Sequence, residues 1–197
     1  MKRSLIIGLL LLAGSWAHAS VIYSQTFSGG TVTGGNPVGT VFTGNFTADP
    51  NSDQVLAISV SLNVSGGYSG GFYFSLVGPD GVTTVILLDQ PGTVTDGLNI
   101  TLANGGSAIN SGSDLSSGTY SAYGALSGLN GQSADGTWTL YFSDTTSGES
   151  PTLGPWTLDI TVVPEPVEVA LGVFGVLFAA IVVVRRRTGK LAGNHAL

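Results

Sequence analysis

Asp49-Pro50-Asn51-Ser52-Asp53 sets three oxygen-bearing side chains at alternate positions. In calcium loops, ligands spaced in this way converge on one hard cation. Asp49, Asn51 and Asp53 are therefore candidate calcium ligands, although the glycine and the closing glutamate of an EF-hand loop are missing. An Asx-rich turn ahead of a strand accounts for the same residues without a metal. Asp89, Asp135 and Asp144 sit in or beside loops and are rival ligands. Acid chemistry would need a carboxylate pair, such as Asp135 with Asp144. No catalytic residue is assigned and no cofactor is required, with calcium the one ion the residues suit.

Other chemistries are disfavoured by the residues at hand. The chain has no Cys, and its two histidines, His18 and His195, lie near its ends. A Ser-His-Asp or Cys-His device then has no base, and zinc lacks its usual ligands. Trp138 and Trp156 could stack on sugar rings, but they alternate with Leu140, Phe142, Leu158 and Ile160, which marks them as core residues. Tyr68, Tyr120 and Tyr123 lie near glycines and are candidates for an exposed platform. Asn45, Asn63 and Asn99 each begin an N-x-Ser/Thr acceptor pattern.

These residues occupy a stretch of unusual charge. All six Lys and Arg lie in the terminal segments: Lys2, Arg3, Arg185, Arg186, Arg187 and Lys190. Of the twelve acids, only Glu165 and Glu168 fall outside residues 20–163, so that stretch carries ten carboxylates and no cation. Nucleic acid is excluded as a partner, because binding it needs cations against phosphates.

The two ends read as targeting segments. Residues 1–19 have a basic start, an apolar run and an Ala17-His18-Ala19 cleavage pattern, the layout of a signal peptide cut after Ala19. Residues 167–184 contain an uncharged apolar run from Val169 to Val184, followed at once by Arg185-Arg186-Arg187. An apolar helix stopped by arginines on the cytoplasmic side predicts one transmembrane span and a basic tail over 185–197. Between run and domain, Pro164-Glu165-Pro166 should stay extended, because proline joins neither a helix interior nor a ladder.

Residues 20–163 remain as the outer domain. Leu56, Ile58, Val60, Leu62 and Val64 alternate with small or polar residues, which predicts a half-buried strand. Phe72 to Val77 and Val82 to Leu88 flank Gly78-Pro79-Asp80-Gly81, a hairpin signal. Trp138, Leu140 and Phe142 share one face of a strand, and Trp156, Leu158, Ile160 and Val162 share another. Ser28 to Gly39 and Asn104 to Gly118 read as glycine-rich loops. Short strands with regular turn signals predict an all-β, antiparallel two-sheet sandwich.

Two regions resemble known families. The order Val163-Pro164-Glu165-Pro166, apolar helix, Arg185-Arg186-Arg187 resembles the PEP-CTERM sorting signal of Gram-negative bacteria. That resemblance implies recognition and processing at Pro164, Glu165 and Pro166 by an exosortase. The stretches Val55 to Gly92 and Gly118 to Ile160 resemble the P domain, or Homo B domain, that accompanies subtilisin-like proprotein convertases. The matching residues are Pro79-Asp80-Gly81, Leu87-Leu88-Asp89, Gly131-Gln132, Gly136-Thr137-Trp138-Thr139-Leu140, Asp144, and Gly154 to Trp156 with Leu158. This second resemblance implies a jelly-roll-like β-sandwich, and calcium binding as in some members. Where relatives often carry an acid after the first long strand, this chain has Gly70-Gly71.

The expectation is a non-catalytic exported protein of the cell surface or extracellular matrix. It would be anchored in the inner membrane as a precursor, then released to the surface, where exopolysaccharide or envelope components are its partners. A carbohydrate- or protein-binding adhesive module is the alternative, and a hydrolase is disfavoured.

Overall fold

The computed structural model describes residues 20–48, 54–92, 96–110, 113, 115–163, 174–178 and 181–182. Within them the chain forms eleven strands: Val21–Phe27 (β1), Gly30–Thr31 (β2), Asn36–Phe46 (β3), Gln54–Tyr68 (β4), Phe72–Val77 (β5), Thr84–Asp89 (β6), Asp96–Ser107 (β7), Thr119–Tyr120 (β8), Gly136–Asp144 (β9), Thr152–Leu153 (β10) and Trp156–Val163 (β11). Two short 3-10 turns, Ser69–Gly71 and Leu126–Leu129, interrupt them.

The strands build two sheets. One has the order β3-β9-β5-β6. The other is organised on β4: β11 and β10 follow one another along one edge, β7 lies along the other, and β1 and β2 flank β11 and β10. Every pairing is antiparallel except the short β7–β8 contact.

Alternation along each strand decides which side chains meet between the sheets. Ile58, Val60, Leu62 and Val64 of β4 point inward, as do Trp138, Leu140 and Phe142 of β9 and Trp156, Leu158, Ile160 and Val162 of β11. Both indoles are fully buried. Phe74 stacks on Phe142 with centroids 4.0 Å apart, and Phe72 meets the same ring edge-on at 5.2 Å. Trp138 donates its indole N–H to Ala134 O at 3.0 Å. Ring pairs of this kind add roughly 0.5–1.5 kcal/mol beyond the area they bury.

Three local readings are corrected. Leu56 was expected among the inward residues of β4 but is 47% exposed, and Val55 is buried instead. The β4–β11 register steps from Ala57↔Thr161 to Val55↔Val162, so Leu56 is the extra residue of a β-bulge and turns outward. Strand β6 starts at Thr84, because Val82 and Thr83 are held in the turn: Asp80 Oδ1 accepts from both of their amides at 2.9 Å. The two stretches read as loops contain strand, since β2 and the start of β3 fall in the first and β7 runs to Ser107 in the second.

The signal segment, the Pro164–Pro166 box, Arg185–Arg187 and most of the expected span at 167–184 lie outside the described residues. Residues 174–178 and 181–182 are helical. Among the described residues no helix is long and apolar enough to cross a membrane.

Phe142→Ala removes the ring shared by two aromatic contacts and should cost about 3–5 kcal/mol of stability. Leu56→Ser, at the bulge, should stay within about 0.5 kcal/mol of wild type. Urea unfolding of both variants checks this. A costly Leu56→Ser would mean that the bulge residue packs inward after all.

Candidate functional site

The register sets the two ends of the sandwich apart. Val21 pairs with Val162, and Val163 pairs with Gln54, so both domain termini meet at the start of β4. Tyr68 closes the other end of that fifteen-residue strand, about 45 Å away at roughly 3.3 Å per residue. At this far end lies a cleft of about 620 Å³ lined by Gly67, Tyr68, Asp96, Asp144, Thr146, Ser147 and Glu149.

Each acid reaches the cleft for a structural reason. Asp144 is the last residue of β9 and pairs with Phe72 on one side and Asn36 on the other. Asp96 opens β7 opposite Tyr68. Glu149 lies in the loop from β9 to β10 and is held by the Gly67 amide, which donates to its Oε2 at 3.0 Å. Gly71 leaves the room these groups need: a Cβ there would fall 2.7 Å from Asp144 Oδ1 and 2.2 Å from Thr146 Oγ1.

Asp144 is the unusual member. It is 1% exposed. Its Oδ1 accepts from the Thr146 amide at 2.9 Å, while its buried Oδ2 has no hydrogen-bond partner. Burial holds this carboxyl above its ordinary value. The Thr146 amide pulls the other way, and the neighbouring Glu149 charge pushes it up further.

The other sequence candidates fall elsewhere. Asp49, Asn51 and Asp53 lie outside the described residues. Asp135 stands just before β9, at the opposite end from Asp144 and about 30 Å away at roughly 3.3 Å per residue, and accepts from the Ala48 amide at 2.5 Å. The two do not form a carboxylate pair. Asp89 lines a different groove of about 370 Å³, with Leu88, Pro91, Ile109 and Tyr123. The tyrosines are likewise dispersed: Tyr68 is at the acidic cleft, Tyr123 is in the Asp89 groove, and Tyr120 is half-buried. Asn63 and Asn99 face each other across β4 and β7, both exposed.

Sequence reasoning missed Asp96 and Glu149, which no spacing links to Asp144. It also missed Tyr73 and Tyr141, whose rings meet edge-on at 5.9 Å beside a small pocket. The Tyr141 hydroxyl donates to Pro37 O at 2.9 Å and also to Val38 O.

The fold and the cleft together define a class: an all-β sandwich module with an acidic recess at one end. The chain belongs to the proprotein convertase P-domain family, whose model matches residues 55–160. The P domain is a non-catalytic accessory domain in proprotein convertases. The fold is similar to that of the serine protease of Aeromonas sobria, solved with its chaperone ORF2 (TM-score 0.51, 16% identity, covering 75% of this chain and 28% of that one). The same protease solved by itself gives a TM-score of 0.50 at 16% identity, covering 73% and 27%. The chain thus spans little more than a quarter of the solved chains it matches. No curated protein matches it in sequence.

Asp144 yields a prediction of definite sign. A carboxyl raised in the folded state binds its proton more tightly there than in the unfolded chain. Its contribution is therefore full below the ordinary carboxylate range and is lost as pH rises through the raised value. In chelator, Asp144→Asn should be more stable than wild type at pH 7, with the difference shrinking towards pH 4. Denaturant melts at both pH values decide this, and a variant less stable than wild type at pH 7 would contradict it.

Proposed function

We propose that this chain is a non-catalytic exported protein of the cell surface or extracellular matrix, associated with exopolysaccharide and sorted through its C-terminal signal. In this reading an exosortase recognises Pro164, Glu165 and Pro166 while the following apolar segment and Arg185 to Arg187 hold the precursor in the inner membrane. The observation that carries the reading is the pairing of Val21 with Val162. It brings the second residue after the signal-cleavage pattern beside the second residue before the sorting box. A folded sandwich hung from that corner keeps the box within reach of a membrane enzyme and directs the acidic cleft outward.

The exposed face of the large sheet also supports a role in a hydrated matrix. Ser59, Ser61, Thr101, Thr157 and Thr161 lie on it, with Asp159 accepting from Ser59 Oγ at 3.3 Å and Ser61 bonded to Thr101 at 2.9 Å. Hydroxyls keep a surface wet without charge and offer donors and acceptors to sugars. The alternative, an adhesive module binding through aromatic stacking, is less well supported, because the exposed tyrosines line separate clefts.

In cells with an exosortase, mass spectrometry of the surface-released protein should find a C-terminus at or near residues 164–166. Glu165→Ala should leave the full-length chain in the inner membrane. Surface protein that retains Leu197 would overturn the sorting part of this reading.

A further inference from the structure

Strand β6 is an edge of the small sheet, but its outer edge is not free. The Tyr123 amide donates to Leu87 O at 3.0 Å and the Gly124 amide to Ile86 O at 2.7 Å. Ser121 N donates to Ser107 O at 2.8 Å, at the end of β7. The segment from Ser121 to Gly124 is thus tied to both sheets. Beside it the flank of the sandwich opens into the groove of about 370 Å³ that holds Asp89. Backbone bonds fix this wall, and Tyr123 stands on it 70% exposed. Pro91 and Ile109 add apolar surface, while Asp89, Gln90 and Ser121 add polar groups. A preformed recess of roughly 300–1,000 Å³, apolar with a few placed polar groups, is the usual make-up of a ligand site. Gln90 is its unusual member. Among the described residues it is the one non-glycine with a left-handed backbone, at φ +45°. Strain of that kind gathers at binding sites. Its side chain also lines the neighbouring pocket of about 240 Å³ beside Tyr73 and Tyr141, so the two recesses meet at Gln90.

We propose that these two recesses, from Tyr123 across Gln90 to Tyr141, hold a strand of neutral polysaccharide. The inference rests on the surface reading and names the contact behind its association with exopolysaccharide. Sugar rings present C–H faces and hydroxyl edges. The exposed Tyr123 ring, with Pro91 and Ile109 near it, matches the faces. The Asp89 carboxylate and the Gln90 carbonyl accept from hydroxyls, and the Gln90 amide donates to them. Ser121 Oγ gives its own proton to Gly106 O at 2.7 Å, which leaves it an acceptor. Charge selects the kind of polymer. Ten carboxylates with no cation in residues 20–163 repel a uronate or sulfated chain, whereas a neutral one meets no such barrier. An extended peptide would add to a free strand edge, and the edge of β6 is already taken by the Tyr123 and Gly124 amides. Recesses on both sides of Gln90 suit a polymer that runs past it.

The test runs the full chain in mild detergent through native gels that contain dextran, soluble starch, galactomannan or hydroxyethylcellulose, with alginate as the anionic comparison at the same ionic strength. At least one neutral polymer should retard the protein, and alginate should not. Tyr123→Ala should weaken that retardation about tenfold or more. It should melt close to wild type, because the ring is mostly exposed. Gln90→Gly should melt no lower than wild type, since glycine takes a positive φ without strain, and yet bind more weakly. A variant that keeps its stability but loses the glycan separates binding from a structural role. Thr161→Ala, on the exposed face of the large sheet, should bind like wild type. The proposal is overturned if no neutral polymer retards the wild type, or if alginate retards it equally. It is also overturned if Tyr123→Ala and Gln90→Gly bind normally, or if Thr161→Ala alone loses binding. A chain processed at Pro164 to Pro166 that no neutral glycan retards overturns the groove and leaves the sorting reading standing. A chain that binds but keeps Leu197 does the reverse, so the two fail separately.

Discussion

A domain with ten carboxylates and no cation cannot form an ion pair within itself, and much of its architecture follows from that constraint. Each acid must be met by something neutral, left in water, or neutralised from outside. Asp80 is met by the Val82 and Thr83 amides and the Thr83 hydroxyl, which lower its pKa and close the β5–β6 turn. Asp135 takes the Ala48 amide, Glu149 takes that of Gly67, and Asp159 takes the Ser59 hydroxyl. Asp80 fastens its own turn, whereas Asp135, Glu149 and Asp159 tie together segments far apart in the chain. Cohesion between the sheets is left to the apolar core, with its paired indoles and its cluster of phenylalanines.

Strand β4 turns this chemistry into a shape with two different ends. It is long enough to receive β11 and then β10 on one edge, and β7 on the other. Its first residues lie beside both domain termini, and its last residues form one wall of the acidic cleft. At the first end Asp135 is satisfied by a backbone amide; at the second, Asp144 keeps an oxygen unpaired. The same residue type thus fastens a loop at one pole and is buried with one unpartnered oxygen at the other. Membership of the P-domain family accounts for the sandwich. The family's place as an accessory domain fits a chain whose acids fasten loops.

How much was legible in the residues themselves varied with the range of the interaction. Strands such as β9 and β11 declare themselves because a period of two places Trp138, Leu140 and Phe142 on one face whatever the strand pairs with. The Pro79-Asp80-Gly81 turn is equally local, since its hydrogen bonds lie within three residues. The outward rotation of Leu56 was hidden, because the bulge exists only through the partner strand's register. The cleft was hidden for a similar reason, as Asp96, Asp144 and Glu149 come from β7, the end of β9 and the loop that follows it.

By itself the sequence determined the all-β class, the inward faces, the charge asymmetry between the ends and the sandwich, and that residues 20–163 hold no Cys, His, Lys or Arg. Each depends on residue type or on spacing within a few positions, where backbone geometry is nearly invariant. The tertiary structure alone decided which acid is buried and which oxygen lacks a donor. It also decided that Val21 and Val162 are neighbours, and that Asp96, Asp144 and Glu149 line one cleft. Those facts follow from the pairing of strands far apart in the chain, and pairing is settled by how a whole apolar core closes rather than by any residue in it.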